Sequence, residues 1–162
     1  MAAVGLVVDQ LTKQWALSAL EGGDRQLLGD WFSLHLVFNP GAAFSLGTEF
    51  TVALTCLAIV AVVVVLFLSR RLGSRLWALG LGLLLAGVSG NLVDRVFRDP
   101  SPFRGHVVDF LRLPNWPVFN FADVFINVAA GLIILQSFRG IALDGRRDTD
   151  GPTASDEPGE AA

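Results

Sequence analysis

The sequence predicts a membrane α-helical protein: a four-transmembrane-helix bundle with a small β-sheet, a cradle, on the outer membrane surface. Two observations predict the bundle. Residues 50–68, FTVALTCLAIVAVVVVLFL, carry no charge over 19 positions, and residues 76–93 give 18 more, which is the signature of spanning helices. A third observation predicts the sheet. WFSLHLVF (31–38) and HVVDFLRL (106–113) have the short, alternating or β-rich character of strands, each closed by a turn-like stretch, NPG (39–41) and PNWP (114–117).

The composition agrees. Of 162 residues 52% are hydrophobic and only 17% charged, against roughly 25% charged in soluble domains, and the mean hydropathy is +0.56. In chain order, the first 20 residues are apolar apart from polar residues that include Asp9 and Lys13, so they form the shortest and most polar span. A secretory signal is rejected there, because no basic segment precedes the apolar run and Asp9 interrupts it. The second span holds the single cysteine, Cys56, which has no intramolecular partner for a disulfide and lies where a thiolate is disfavoured. The third span ends in GNLVDR (90–95). The fourth, FNFADVFINVAAGLIILQSF (119–138), carries one charge, Asp123, and Asn120, Asp123 and Asn127 share one face of that helix.

Orientation follows from the basic residues. Arg70, Arg71 and Arg75 crowd the link between spans two and three, and Arg139, Arg146 and Arg147 follow span four. Both clusters are expected in the cytoplasm, which places both termini inside and the loops 21–49 and 97–118 outside. Residues 1–140 form one four-span domain on this reading. Residues 141–162, rich in Asp, Glu, Gly and Pro, read as a disordered cytoplasmic tail.

The chemistry is confined to a few polar residues near the outer ends of the spans: Asn91, Asp94 and Arg95 from span three, Asp109 from the second strand, Asn120 and Asp123 from span four. Asp109 lies on an apolar strand face with Val107 and Leu111. Two carboxylates brought close at a half-buried interface cannot both ionise, so the pair holds one proton. One member then serves as general base toward water and the other as general acid toward a carbonyl. Other chemistries find little support. His35 and His106 lack the spacing of a zinc site, so no metal and no cofactor is expected. Lys13, the sole lysine, lies one turn after Asp9 and reads as its ion-pair partner, not as half of a Ser–Lys dyad. Ser89 in GVSGN does not match a nucleophile elbow. No basic stripe suggests nucleic acid. A non-enzymatic proton or ion conduit is the alternative, but it would want ionisable groups at the bilayer midplane, and the middles of spans two and four have none.

Five stretches in order, DQLTK (9–13), FNPGAAFSL (38–46), SGNLVDR (89–95), HVVDF (106–110) and FNFADVFIN (119–127), resemble the motif boxes of the bacterial lipoprotein signal peptidases, the membrane aspartyl proteases called signal peptidase II. The match runs from about residue 5 to 135. The resemblance implies removal of the signal peptide from prolipoproteins just before a diacylglyceryl-modified cysteine of the substrate. Asp109 and Asp123 are the implied catalytic dyad. Asn39, Gly41, Asn91, Arg95 and Asn120 are the implied substrate-binding residues, and Asp9, Lys13 and Asp94 the implied structural polar residues. The implied partners are prolipoproteins and membrane lipid, with the enzyme a monomer in the bacterial inner membrane and its active site at the extracytoplasmic face. The sequence departs from the family in three places. It starts eight residues before Asp9 without a basic segment, which makes a shortened first span or a misassigned start the expectation. Its third box reads LLAGVSGN in place of a leading GGA. Only 14 positions separate the two acids, as a tight strand–turn–helix would require.

Overall fold

Among the described residues four helices and three strands follow in the order α1 (Ala2–Ala19), β1 (Arg25–Leu28), β2 (Phe32–Asn39), α2 (Thr51–Ser69), α3 (Arg75–Phe97), β3 (Val107–Arg112) and α4 (Phe121–Phe138). The computed structural model describes residues 1–41 and 51–147. Residues 42–46 of the second motif box, the remainder of the loop to 49, and residues 148–162 of the expected tail lie outside the described residues.

The helices α2, α3 and α4 are each long and apolar enough to cross a membrane. Around α2 large apolar side chains face outward on most sides, among them Leu57, Val60, Val63 and Phe67, and only Thr51, Thr55 and Val65 are buried. That pattern suits a helix solvated by lipid. In α1 the stripe Val4, Val7, Val8, Leu11 and Trp15 faces outward, while Asp9, Lys13 and Ala16 are buried. The charges that lower its hydropathy therefore point into the bundle, where they pair, and its outer face is largely apolar apart from Gln14 and Ser18.

The central helix is α3, which packs against the other three. Two glycines bring its neighbours close. A Cβ at Gly87 would overlap the Ala122 carbonyl and lie 2.7 Å from Ile126 Cγ1, and one at Gly90 would collide with the Asp9 carboxylate. Small residues are what let helix backbones approach this closely in a bilayer. On α4 the buried residues Ala122, Ala129 and Gln136 recur every seven positions, one face turned to α3.

The sheet has the order β1-β2-β3, antiparallel throughout. Its core is formed by Leu34, Phe110 and Leu111 packed on Ala16 and Leu20 at the end of α1, with Phe32, Leu36, Phe119 and Phe121 around them. The alternation expected over 31–38 is not continuous. Between Leu34↔Leu111 and Val37↔Asp109 the register slips, and the resulting bulge changes which side chains face inward. Leu34 is 4% exposed, whereas Phe38, in phase with it by sequence, is 52% exposed. The edge strand β1 was not anticipated: four residues, all exposed, carry too little pattern.

Beyond residue 140 the chain is still held by hydrogen bonds. Residues 141–147 turn back on themselves, Ala142 N–H donating to the Arg146 carbonyl at 2.9 Å. They dock on the α2–α3 link through Gly73 N–H to the Leu143 carbonyl (2.9 Å) and Trp77 Nε1 to the Ile141 carbonyl (2.7 Å). The basic residues at 70–75 and 139–147 thus sit together at the end of the bundle away from the sheet.

Candidate active site

Between β3 and α4 the chain reverses through Leu113–Trp116, with Asn115 in the left-handed region (φ 55°), a conformation that asparagine tolerates better than most residues. Phe119 then pairs with Leu111, each N–H donating to the other's carbonyl at 2.9 and 2.8 Å. This return lays Asn120 beside Asp109, and it uses the 14 positions from Asp109 to Asp123.

Asn120 starts α4 as its N-cap. Its Oδ1 accepts the Asp123 N–H at 3.0 Å, while Asp123 Oδ2 accepts the Asn120 N–H at 3.1 Å, a capping box with aspartate in the third position. The helix N-terminus also favours a negative charge there. The Asn120 side chain has a second task. Its Nδ2 donates to Asp109 Oδ1 at 2.6 Å and to Asn91 Oδ1 at 3.2 Å. One asparagine therefore spans the gap between the carboxyls of Asp109 and Asp123.

Two further amides complete the arrangement. Asn39 Nδ2 donates to Asp109 Oδ2 at 2.9 Å, and Asn91 Nδ2 donates to Asp123 Oδ1 at 2.9 Å. Every carboxyl oxygen of the two acids accepts one hydrogen bond from a neutral N–H, and among the described residues neither acid forms an ion pair. Asp109 is 2% exposed. Burial, with the charge of Asp123 as a second cause, pushes its carboxyl up to about 7, against the opposing pull of Asn39, Asn120 and Lys13. Near pH 7 the Asp109 carboxyl is therefore about half protonated.

Behind Asn91 lies a buried ionic cluster. Lys13 Nζ meets Asp9 at 3.0 Å, Asp94 at 2.8 Å and Asn91 Oδ1 at 2.9 Å. Asp94 also accepts from Arg98 Nε (2.7 Å) and the Val108 N–H (3.2 Å), and Asp9 accepts the Ala122 N–H (3.0 Å). The cluster ties α1 to α3, β3 and α4. It also fixes the Asn91 amide, since an oxygen that accepts from lysine leaves the nitrogen for Asp123. None of Asp9, Lys13 and Asp94 lines the cavity in front of the acids.

That cavity has a volume of about 500 Å³. Asp109, Asp123, Asn39, Gly41, Asn91 and Arg95 line its polar end, and Trp116, Val118, Val124, Ile126 and Val128 its apolar side. Asn120, fully buried, backs the acids from behind. Arg95 reaches the Gly41 carbonyl at 3.2 Å and the Asn91 carbonyl at 3.4 Å, and its buried Nε has no partner among the described residues. Gly41 is held by its own N–H, which donates to Asn39 Oδ1 at 3.0 Å. The sequence pattern marks Trp116 only as part of the turn-like PNWP and gives Asn127 no role, yet both line the cavity. For Asn127 the available signal was its spacing of four from Asp123.

The chain is similar to known proteins. The family model described as signal peptidase (SPase) II matches residues 1–139. A lipoprotein signal peptidase of Mycobacterium leprae is 47% identical over 153 residues, covering 93% of this chain and 76% of the relative. One of Rhodococcus jostii is 49% identical over 148 residues, covering 91% and 75%. Among solved structures, a bacterial membrane enzyme superposes with a TM-score of 0.77 at 21% identity over 97% of this chain and 92% of that one, and a second with 0.74 at 23% over 85% and 90%; these two speak for the fold. With spanning helices, sheet and family model in agreement, the chain belongs to the signal peptidase II family.

Proposed function

We propose that Asp109 and Asp123 carry out the peptidase reaction of this family, as an aspartic dyad that hydrolyses the bond before a diacylglyceryl-modified cysteine in prolipoproteins. The observation that carries this reading is the single asparagine, Asn120, that bonds both acids and holds them at one end of a shared cavity. With one proton on the pair, the ionised carboxylate takes a proton from water as its oxygen attacks the scissile carbonyl. The protonated carboxyl donates to that carbonyl oxygen, giving a neutral tetrahedral intermediate. Its collapse returns a proton to the leaving nitrogen and restores the single shared proton. Arg95, whose buried Nε has no partner among the described residues, and the Asn39–Gly41 turn are suited to hold the substrate backbone.

The apolar side of the cavity suits a substrate whose lipid stays in the bilayer. The sheet end of the bundle is the extracytoplasmic end, because the basic clusters gather at the other end and mark the cytoplasm. The enzyme works as a monomer in the bacterial inner membrane, with its peptidase unit in residues 1–140, sealed at the cytoplasmic end by 141–147, and needs no cofactor. The test is Asp109→Asn and Asp123→Asn, each assayed on a lipidated prolipoprotein. Loss of processing by at least about 10²-fold in both, the lower range for general acid–base groups, with normal membrane insertion, is expected. Normal processing by either variant refutes the dyad.

A further inference from the structure

Asn127 is the one polar side chain between Val124 and Leu135 on α4, and the reaction above gives it no task. It stands one turn beyond Asp123, about 6 Å further along the axis at 1.5 Å per residue. It lines the same cavity, on a wall otherwise formed by Val124, Ile126 and Val128. A polar amide among apolar groups costs free energy unless its hydrogen-bonding atoms are matched. Half of this amide is matched: Nδ2 donates to the Asp123 carbonyl at 2.9 Å. A backbone carbonyl only accepts, so the amide is held with its nitrogen there. The other half, Oδ1, receives no donor from any described residue.

Asn127 is exposed on the open side of the cavity, so its oxygen is free to take a donor from an occupant when the cavity fills. The ester groups of a diacylglyceryl chain offer acceptors alone, whereas an extended peptide offers an N–H at each residue. The direction is set by the fold. From Asp123 to Asn127, α4 runs away from the sheet and into the bundle, and the apolar segment of a signal peptide leads from the cleaved bond into the bilayer. At about 3.3 Å per residue of extended chain, 6 Å is two residues.

We propose that Asn127 Oδ1 accepts the backbone N–H of the second or third signal-peptide residue before the cleaved bond, and so sets how far the substrate slides along α4 before its scissile carbonyl meets the acids. This rests on the assignment of the acids and the substrate made above.

The test is a coupling cycle in vesicles between Asn127→Leu and synthetic diacylglyceryl prolipoprotein peptides N-methylated at one amide at a time. In the unaltered enzyme, methylation at the second or third residue before the bond lowers kcat/KM about tenfold, the equivalent of one hydrogen bond. Asn127→Leu loses a similar factor on the unmethylated peptide, chiefly through KM. The two changes together lose no more than either alone. Losses that multiply, an unchanged KM, or coupling only at some other amide overturn the proposal. If the leucine variant fails to insert, the methylation series in the unaltered enzyme decides: equal losses at every amide overturn it, and a loss peaking at those two positions supports it. Cleavage retained by Asp109→Asn or Asp123→Asn refutes the parent reading alone, since the coupling is measured in enzyme carrying both acids.

Discussion

Replacing Asn39 by alanine removes the amide that donates to Asp109 Oδ2 at 2.9 Å, and its effect on the pH dependence of cleavage can be worked out in sign and size. That hydrogen bond stabilises the ionised carboxylate, so it opposes the rise that burial and Asp123 impose on Asp109. Without it the carboxyl holds its proton to higher pH. A hydrogen bond to a charged group is worth about 1.5–3 kcal/mol, and 1.36 kcal/mol corresponds to one pH unit. Because Asn39 is only half-buried, the lower end applies, a shift of about one unit. In the proposed mechanism cleavage requires one proton on the pair, so activity falls as pH rises through the value of Asp109, about 7. The alkaline limb should therefore move up to about 8 in Asn39→Ala. The assay is kcat/KM for a lipidated prolipoprotein peptide in vesicles, followed across both limbs. The maximum itself will fall, because Asn39 also shapes the turn at Gly41, but the position of the limb does not depend on that loss. An alkaline limb that stays in place or moves down refutes the assignment of that limb to Asp109.

Two more outcomes follow from the buried charges. Asp109 is raised from 3.8 to about 7, so the folded state binds its proton more tightly than the unfolded one. Stability from this group is full below about 3.8 and is lost as pH rises toward 7. Asp109→Asn removes that loss, on the order of 4 kcal/mol, less about 1 kcal/mol for an amide donor left facing Asn39 or Asn120. The inactive variant should therefore unfold at a higher temperature than the parent above pH 7, and thermal unfolding in detergent that shows no such gain would contradict the burial of a charged Asp109. Lys13→Met leaves Asp9 and Asp94 buried without their shared cation, a change that costs about 3–5 kcal/mol. Its unfolding temperature should drop sharply and recover in part when Asp9→Asn is added; a double variant no better than the single one would show the cluster adds nothing.

The helices were legible because an uninterrupted apolar run has few meanings in a chain of this length. For α1 the run is interrupted, but the spacing of Asp9 and Lys13 by one turn already described an internal pair, and the structure adds Asp94 and Asn91 as partners that no local pattern could supply. The strands were located within a residue or so, but not their register: a bulge between Leu34 and Val37 depends on what packs beneath, which alternation does not encode. β1 is exposed at every position and so left no pattern. The proximity of Asp109 and Asp123 follows from Phe119 pairing with Leu111, a backbone contact invisible in side-chain chemistry. Residues 141–147 read as tail because their docking uses backbone carbonyls, of Leu143 and Ile141, that any residue would present.

Asn120 caps α4 and bonds Asp109 with one side chain, so, with the proposed dyad, winding the last helix and arming the enzyme are one event. A nascent chain whose earlier segments have entered the bilayer lacks any means of cutting its neighbours, however long it waits for the fourth. Competence arrives in a single step, when the final segment seats, and no separate activating process is required to guard the membrane from a half-built protease.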